Sequence, residues 1–146
     1  MAVPENLNKW ETLVSIIARL RAPDGCPWDR KQTHASLREN LMEECYELLE
    51  ALDGGDPGKI CEELGDLLLQ VVLQSQIARD NGEFEIGDVI KSINDKLIHR
   101  HPHIFGSEKV NDADNVLPVK TDLRYPALNC LAVTQGRHLP GNTGQH

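Results

Sequence analysis

Leu41-Met-Glu-Glu-Cys-Tyr-Glu-Leu48 returns nineteen residues later as Ile60-Cys-Glu-Glu-Leu-Gly-Asp-Leu67, the same phrase of apolar-x-Glu-Glu-apolar-x-acid-Leu. On a helix, residues three apart face the same way, so Glu44 with Glu47, and Glu63 with Asp66, each place two carboxylates on one side. Like charges at this spacing destabilise a helix by roughly 0.2–0.5 kcal/mol per pair unless something positive offsets them. From Glu39 to Ala78 the chain carries ten acidic residues and one basic residue, Lys59. None of Glu43, Glu44, Glu47 or Glu50 has a Lys or Arg four positions later, so intrahelical pairing is missing. A bound cation is the simplest offset.

Working outward, the periodic segments predict an all-α fold of four helices. Leu7, Trp10, Leu13, Val14, Ile17 and Leu20 recur at helical spacing until Pro23-Asp-Gly25 ends the pattern. Ala22 to Gln32, with two prolines, a glycine and Trp28, reads as a loop. A second helix starts with Thr33 as N-cap, or with Ser36-x-x-Glu39 as a capping box, and carries the stripe Leu37, Leu41, Cys45, Leu48, Leu52 to Gly54-Gly55. Asp56 followed by Pro57 signals the start of a third, with Ile60, Leu64, Leu67, Leu68, Val71 and Val72 running on to Asn81-Gly82. Asp88 is the expected cap of a fourth, which carries Val89, Ile90, Ile93, Leu97 and Ile98 and stops before His101-Pro102.

The short link between the second and third helices makes them antiparallel neighbours. Counted from that turn, the two acidic pairs lie about 10 and 13 Å along their axes at 1.5 Å per residue, nearly the same height. Glu44 and Glu63 lie about 60° from the apolar stripe and Glu47 and Asp66 about 120° from it on the same side, while Glu43 and Glu62 face further away. A single E-x-x-E is most often a solvated helix face; two matched copies at equal height and angle, without basic partners, read as one site. Four carboxylates with no aimed His or Cys suit Mg²⁺ or Mn²⁺. A di-iron centre would need E-x-x-H, which neither copy has.

Composition narrows the class. Aromatics make up 4% of the chain, which fits aliphatic helix packing better than a β-sandwich. A formal charge of −8 argues against nucleic acid as main partner, because that binding depends on Lys and Arg displacing counterions. No apolar run approaches the roughly 18 residues of a membrane span, and no leader stretch opens the chain, so a cytoplasmic protein is expected. Cysteines 26, 45, 61 and 130 lack C-x-x-C spacing, and Cys45 and Cys61, at apolar helical positions, read as reduced, buried thiols. Stripes as apolar as Leu64 to Val72 leave more apolar surface than a bundle of this size covers, so a homodimer or higher homo-oligomer is expected.

Five motifs then appear in order: Cys26-Pro-Trp-Asp29, Gln32-Thr-His34, Glu43-Glu44-x-x-Glu47, Glu62-Glu63-Leu-Gly-Asp66, and Ile93-Asn-Asp-Lys-Leu-Ile-x-Arg-His-Pro-His-Ile-Phe105. From about Leu13 to Phe105 the chain closely resembles the MazG-type nucleoside triphosphate pyrophosphohydrolases. The resemblance implies an all-α dimer in which paired subunits complete a four-helix bundle, and Mg²⁺-dependent cleavage of a nucleoside triphosphate to monophosphate and pyrophosphate. By the family pattern the metal ligands are Glu44, Glu47, Glu63 and Asp66, the set that helical geometry also selects, with Glu43 in support and Glu44 or Glu47 handling the attacking water. Lys96 and Arg100, four apart on one helix face, suit the triphosphate oxygens. Trp28 is placed to stack on the nucleobase, its alternative being an anchor that plugs the loop to the core. Lys31 is in reach of a phosphate, its alternative being a solvated loop lysine, and Asn94, with Asp95, is read as contacting the sugar or supporting the ligands. His99, His101 and His103 alternate across a proline and do not converge as a soft-metal site, and Cys26 has no base partner for a nucleophilic role.

Beyond Phe105 the resemblance ends. Family members carry on with a helical segment holding a Trp and a Lys, whereas residues 111–146 have three prolines, three glycines and no sustained period. The expected organisation is a helical domain over residues 1–106 and an irregular, flexible tail over 107–146. The altered tail keeps a second reading open, a catalytically silent dimer that binds nucleotide or a protein partner through the same surface.

Overall fold

A computed structural model describes residues 4–106, and those residues are helical with no strand among them. The helices are α1 (Trp10–Arg21), α2 (Pro27–Lys31), α3 (Arg38–Gly54), α4 (Pro57–Asp80), α5 (Ile86–Arg100) and α6 (Pro102–Phe105). Four are the expected long helices; α2 and α6 are short additions, each opening on a proline whose fixed φ suits a first helical position. The expected loop over residues 22–32 thus contains a helical turn around Trp28. The expected tail lies outside the described residues. No described helix is long and apolar enough to cross a membrane.

Local chemistry explains most helix ends. Asp56 caps α4 as expected, its Oδ1 accepting from the Gly58 N–H at 2.9 Å, and Gly55 closes α3 in the left-handed region at φ 70°. Three starts differ from expectation. α1 begins at Trp10, not near Leu7, because Asn6 sits at φ 60°, which interrupts helical propagation. The Ser36-x-x-Glu39 box does not form: Ser36 and Thr33 bond each other's backbone N–H reciprocally in a turn before α3, so the Ser36 hydroxyl is engaged one turn early. Asp88 is not the cap of α5 but its third residue, where Oδ2 accepts from the Glu85 N–H at 3.0 Å.

The chain divides into two compact units between Asp95 and Lys96. In the first, α3 and α4 form an antiparallel hairpin, and α1 packs on α4 and on α2. The core gathers Ile17 of α1, Leu37 just before α3, and Val72, Leu73 and Ile77 of α4, with Trp10, Leu13, Val14, Leu20 and Leu69 against them. It therefore occupies one end of the hairpin. Among residues 4–95 nothing covers the rest of the apolar face: Tyr46, Leu49 and Leu64 towards the α3–α4 turn are exposed, as are Leu41, Met42 and Leu68 further along the hairpin. Cys45 and Cys61 are exposed with them, which corrects the expectation of buried thiols. Their stripe is apolar, but a stripe is buried only where another element lies on it. The second unit is described to Gly106 and contains the last turn of α5 and α6, where His101 Nδ1 meets the Leu97 carbonyl at 2.6 Å and the His101 and His103 rings lie 5.7 Å apart.

Gly25 is where the α1–α2 connection closes most tightly. A Cβ there would lie 2.2 Å from the Leu20 carbonyl oxygen and 2.5 Å from that of Arg19, both backbone atoms unable to yield. Gly25→Ala is expected to cost about 1–3 kcal/mol in urea denaturation; an unchanged midpoint would show that the turn has an alternative path.

Candidate metal and active site

The antiparallel hairpin brings the two acidic phrases to the same level. Carboxylate oxygens of Glu44 on α3 and of Glu63 and Asp66 on α4 lie within 4.8 Å of one another. Glu63 is 8% exposed, and its Oε2 is buried without a hydrogen-bond partner. No lysine or arginine of residues 4–95 is within ion-pairing range of these three groups. Leaving a buried carboxylate oxygen unpaired is costly, so the arrangement is one that a positive charge would complete. Three carboxylates from two helices, one of them with an orphaned oxygen, fit a metal ion.

Glu47 stands beside this trio, not within it. It is exposed and lines an open hollow of about 310 Å³ with Glu50, Asp56, Lys59 and Glu63, at the α3–α4 turn. Its charge still acts on the cluster. The Glu44 carboxyl is held above its ordinary value by burial first, then by Asp66, Glu47, Glu63 and Glu43. The Glu63 carboxyl is raised by burial first, then by Glu47, Glu62 and Asp66, with Lys59 the one opposing charge. Both folded values lie above the unfolded value of 4.5, so the metal-free fold binds extra protons there. The corresponding stability is present below pH 4.5 and is lost as pH rises through the raised folded values. Metal-free protein should therefore melt at a higher temperature near pH 5 than near pH 7.5, and the Glu44→Gln, Glu63→Gln double variant should flatten that slope. An identical slope in the double variant would place the titrating groups elsewhere.

The other sequence-derived residues are distributed as follows. Trp28, on α2, is 56% exposed, so it does not plug the core. Lys31 is exposed at the end of α2, and Glu43 is exposed on α3. Asn94 is exposed on α5, and Asp95 pairs with Lys91. Lys96 and Arg100 lie one turn apart in the second unit, Lys96 exposed and Arg100 half-buried.

Three residues were given no role by sequence reasoning. Arg21, with a side chain 8% exposed, meets Asp80 Oδ2 at 2.7 Å and the backbone carbonyls of Asp29 and Gln32, tying the Trp28 segment to the end of α4. His34 bonds Gln74 on α4 through Nδ1 and meets Glu83 through Nε2, fixing the entry to α3. Gln70, 6% exposed, is a buried polar residue of α4. The available signal was its place in the most apolar segment of the chain, one turn beyond Asp66.

Fold and site together define an all-α protein with a metal-type carboxylate cluster between two antiparallel helices. Residues 32–105 match the MazG nucleotide pyrophosphohydrolase domain, and the chain belongs to that family. It is 61% identical over 97 residues to the nucleoside triphosphate pyrophosphohydrolase/pyrophosphatase MazG of Thermotoga maritima, an alignment covering 66% of this chain and 38% of that protein. It is 41% identical over 123 residues to a nucleoside triphosphate pyrophosphohydrolase of Escherichia coli K12, covering 81% and 47%. With the uncharacterized protein YabN of Bacillus subtilis the identity is 53% over 122 residues, covering 84% and 25%. The chain thus spans between a quarter and a half of the length of these relatives.

Proposed function

We propose that this protein hydrolyses nucleoside triphosphates to nucleoside monophosphate and pyrophosphate, using Mg²⁺ or Mn²⁺ held by Glu44, Glu63 and Asp66 with Glu47 beside them. The observation that carries this reading is the buried, unpartnered oxygen of Glu63 set among carboxylates, with no lysine or arginine of residues 4–95 ion-paired to it. A hard cation that prefers oxygen ligands answers that need. Family membership and the names of the relatives support the reaction class.

When bound, the cation would supply Lewis-acid polarisation of a phosphoryl oxygen and a template for the triphosphate. The chain's own residues do the rest. Glu44 or Glu47 orients the attacking water or takes its proton, and Glu43 supports them. Lys96 and Arg100 hold triphosphate oxygens and stabilise charge as the bond breaks, Arg100 with the two-pronged geometry that suits phosphate. The exposed ring of Trp28 stacks on the nucleobase, Lys31 meets a phosphate, and Asn94 meets the sugar. Nucleotide-pool control in the cytoplasm is the corresponding role.

The working form in this proposal is a homodimer or higher homo-oligomer, with residues 1–106 as its helical domain. The support is the uncovered apolar face of α3 and α4, where Leu49, Leu52 and Leu64 are each more than half exposed. A monomeric mass at micromolar protein would sink this part.

The activity test is incubation with each nucleoside triphosphate and Mg²⁺, separating pyrophosphate from orthophosphate. Pyrophosphate with monophosphate is expected. Orthophosphate with diphosphate would refute the reaction, and Mg²⁺-dependent nucleotide binding without turnover would make this a silent binder.

A further inference from the structure

Two buried side-chain atoms among the described residues lack a hydrogen-bond partner, and both are acceptors on α4: Glu63 Oε2 and Gln70 Oε1. At 100° per residue, Gln70 lies about 20° around the helix from Glu63 and about 40° from Asp66, so the three share one face. Long helical side chains lean towards the turn on their N-terminal side, which for Gln70 is the turn of Asp66. Further along the same face, Gln74 is engaged with His34 and Ile77 lies in the core. The stripe thus runs from core, through a satisfied amide and an unsatisfied one, to the carboxylates.

An amide buried without a partner for its oxygen is destabilising relative to an apolar group of similar shape. Gln70 stands in the most apolar helix of the chain, where Leu, Met or Val would pack without that cost. An acceptor here calls for a donor that the described residues do not provide. A hydrated divalent cation brings donors, because the water protons of its shell point outward.

We propose that Gln70 is a positioning residue for the carboxylate site, its carboxamide oxygen accepting a hydrogen bond from the hydration shell of the cation held by Glu44, Glu63 and Asp66. The inference rests on the metal reading given under Proposed function. It assigns Gln70 the orientation of that shell, and through it the cation's affinity and placement. Outer partners of this kind typically change metal affinity by 10–100-fold.

The test is Mn²⁺ binding to the full chain, followed by the paramagnetic resonance of free Mn²⁺, with melting of the metal-free protein measured in parallel. Gln70→Leu is expected to weaken Mn²⁺ binding by about tenfold while leaving metal-free melting unchanged or raised. Gln70→Glu, which keeps an acceptor at the position, is expected to retain binding. Wild-type affinity in Gln70→Leu would overturn this inference and leave the metal reading standing. Weakened binding in both variants together with lower metal-free melting would also overturn it, since the effect would then be lost packing. Absence of Mn²⁺ binding in the wild type would overturn the metal reading and this inference with it.

Discussion

Glu63→Gln is expected to abolish cation-dependent stabilisation while leaving the fold intact. The carboxylate being replaced is buried and surrounded by Glu44, Asp66 and Glu47, all of the same sign. Without metal, a neutral amide relieves that repulsion and donates to the neighbouring carboxylates, so the variant should melt at or above the wild-type temperature. With metal the order reverses. At a hundredfold excess over the dissociation constant a bound ligand contributes about 2.7 kcal/mol, on the order of 10 °C for a domain of this size. The variant should lose nearly all of that shift. Turnover of nucleoside triphosphate should fall by on the order of 10²–10³-fold, since a cation contributes several kcal/mol to charge stabilisation in the transition state. Thermal denaturation with and without Mg²⁺ checks both halves. A variant that still gains the full shift would remove Glu63 from the site.

Arg21→Met is expected to produce the largest loss of stability in the metal-free protein. The guanidinium is almost wholly buried and meets one carboxylate, Asp80, and two backbone carbonyls, Asp29 and Gln32. Methionine preserves the apolar stem but leaves those acceptors facing nothing. Breaking a buried pair from one side costs about 3–5 kcal/mol, and the partial exposure of Asp80 places this case near the lower end. The melting temperature should fall by on the order of 10 °C. Arg21→Lys should not restore it, because one ammonium cannot reproduce the planar fork across three acceptors. Wild-type stability in the lysine variant would mean that charge alone matters there. Because Arg21 holds the segment that carries Trp28, hydrogen exchange should rise first in residues 26–32.

Helical phase is why so much of this site is legible in the sequence. Residues three or four apart face one way whatever surrounds them, so the repeated phrase, the short Gly54–Gly55–Asp56 link and 1.5 Å of rise per residue suffice to bring Glu44, Glu63 and Asp66 to one level. The capping of α4 by Asp56 is legible for the same reason, since Asp-Pro acts within a single turn. The errors fall where a local signal had competitors. Ser36 had a nearer partner in Thr33, and Asp88 bonded back to Glu85 from inside the helix.

The helical class, the lengths of α3 and α4 and the pairing of acidic residues follow from the sequence by itself, because backbone hydrogen bonds four residues apart and side-chain phase are local. Tertiary structure alone decided which groups are buried. Identical periodicity leaves Leu73 in the core and Leu64 exposed, and it exposes Cys45 and Cys61 while burying Glu63 and Gln70. The reason is that burial depends on what lies across the face of a helix, and α1 covers only the far end of the hairpin.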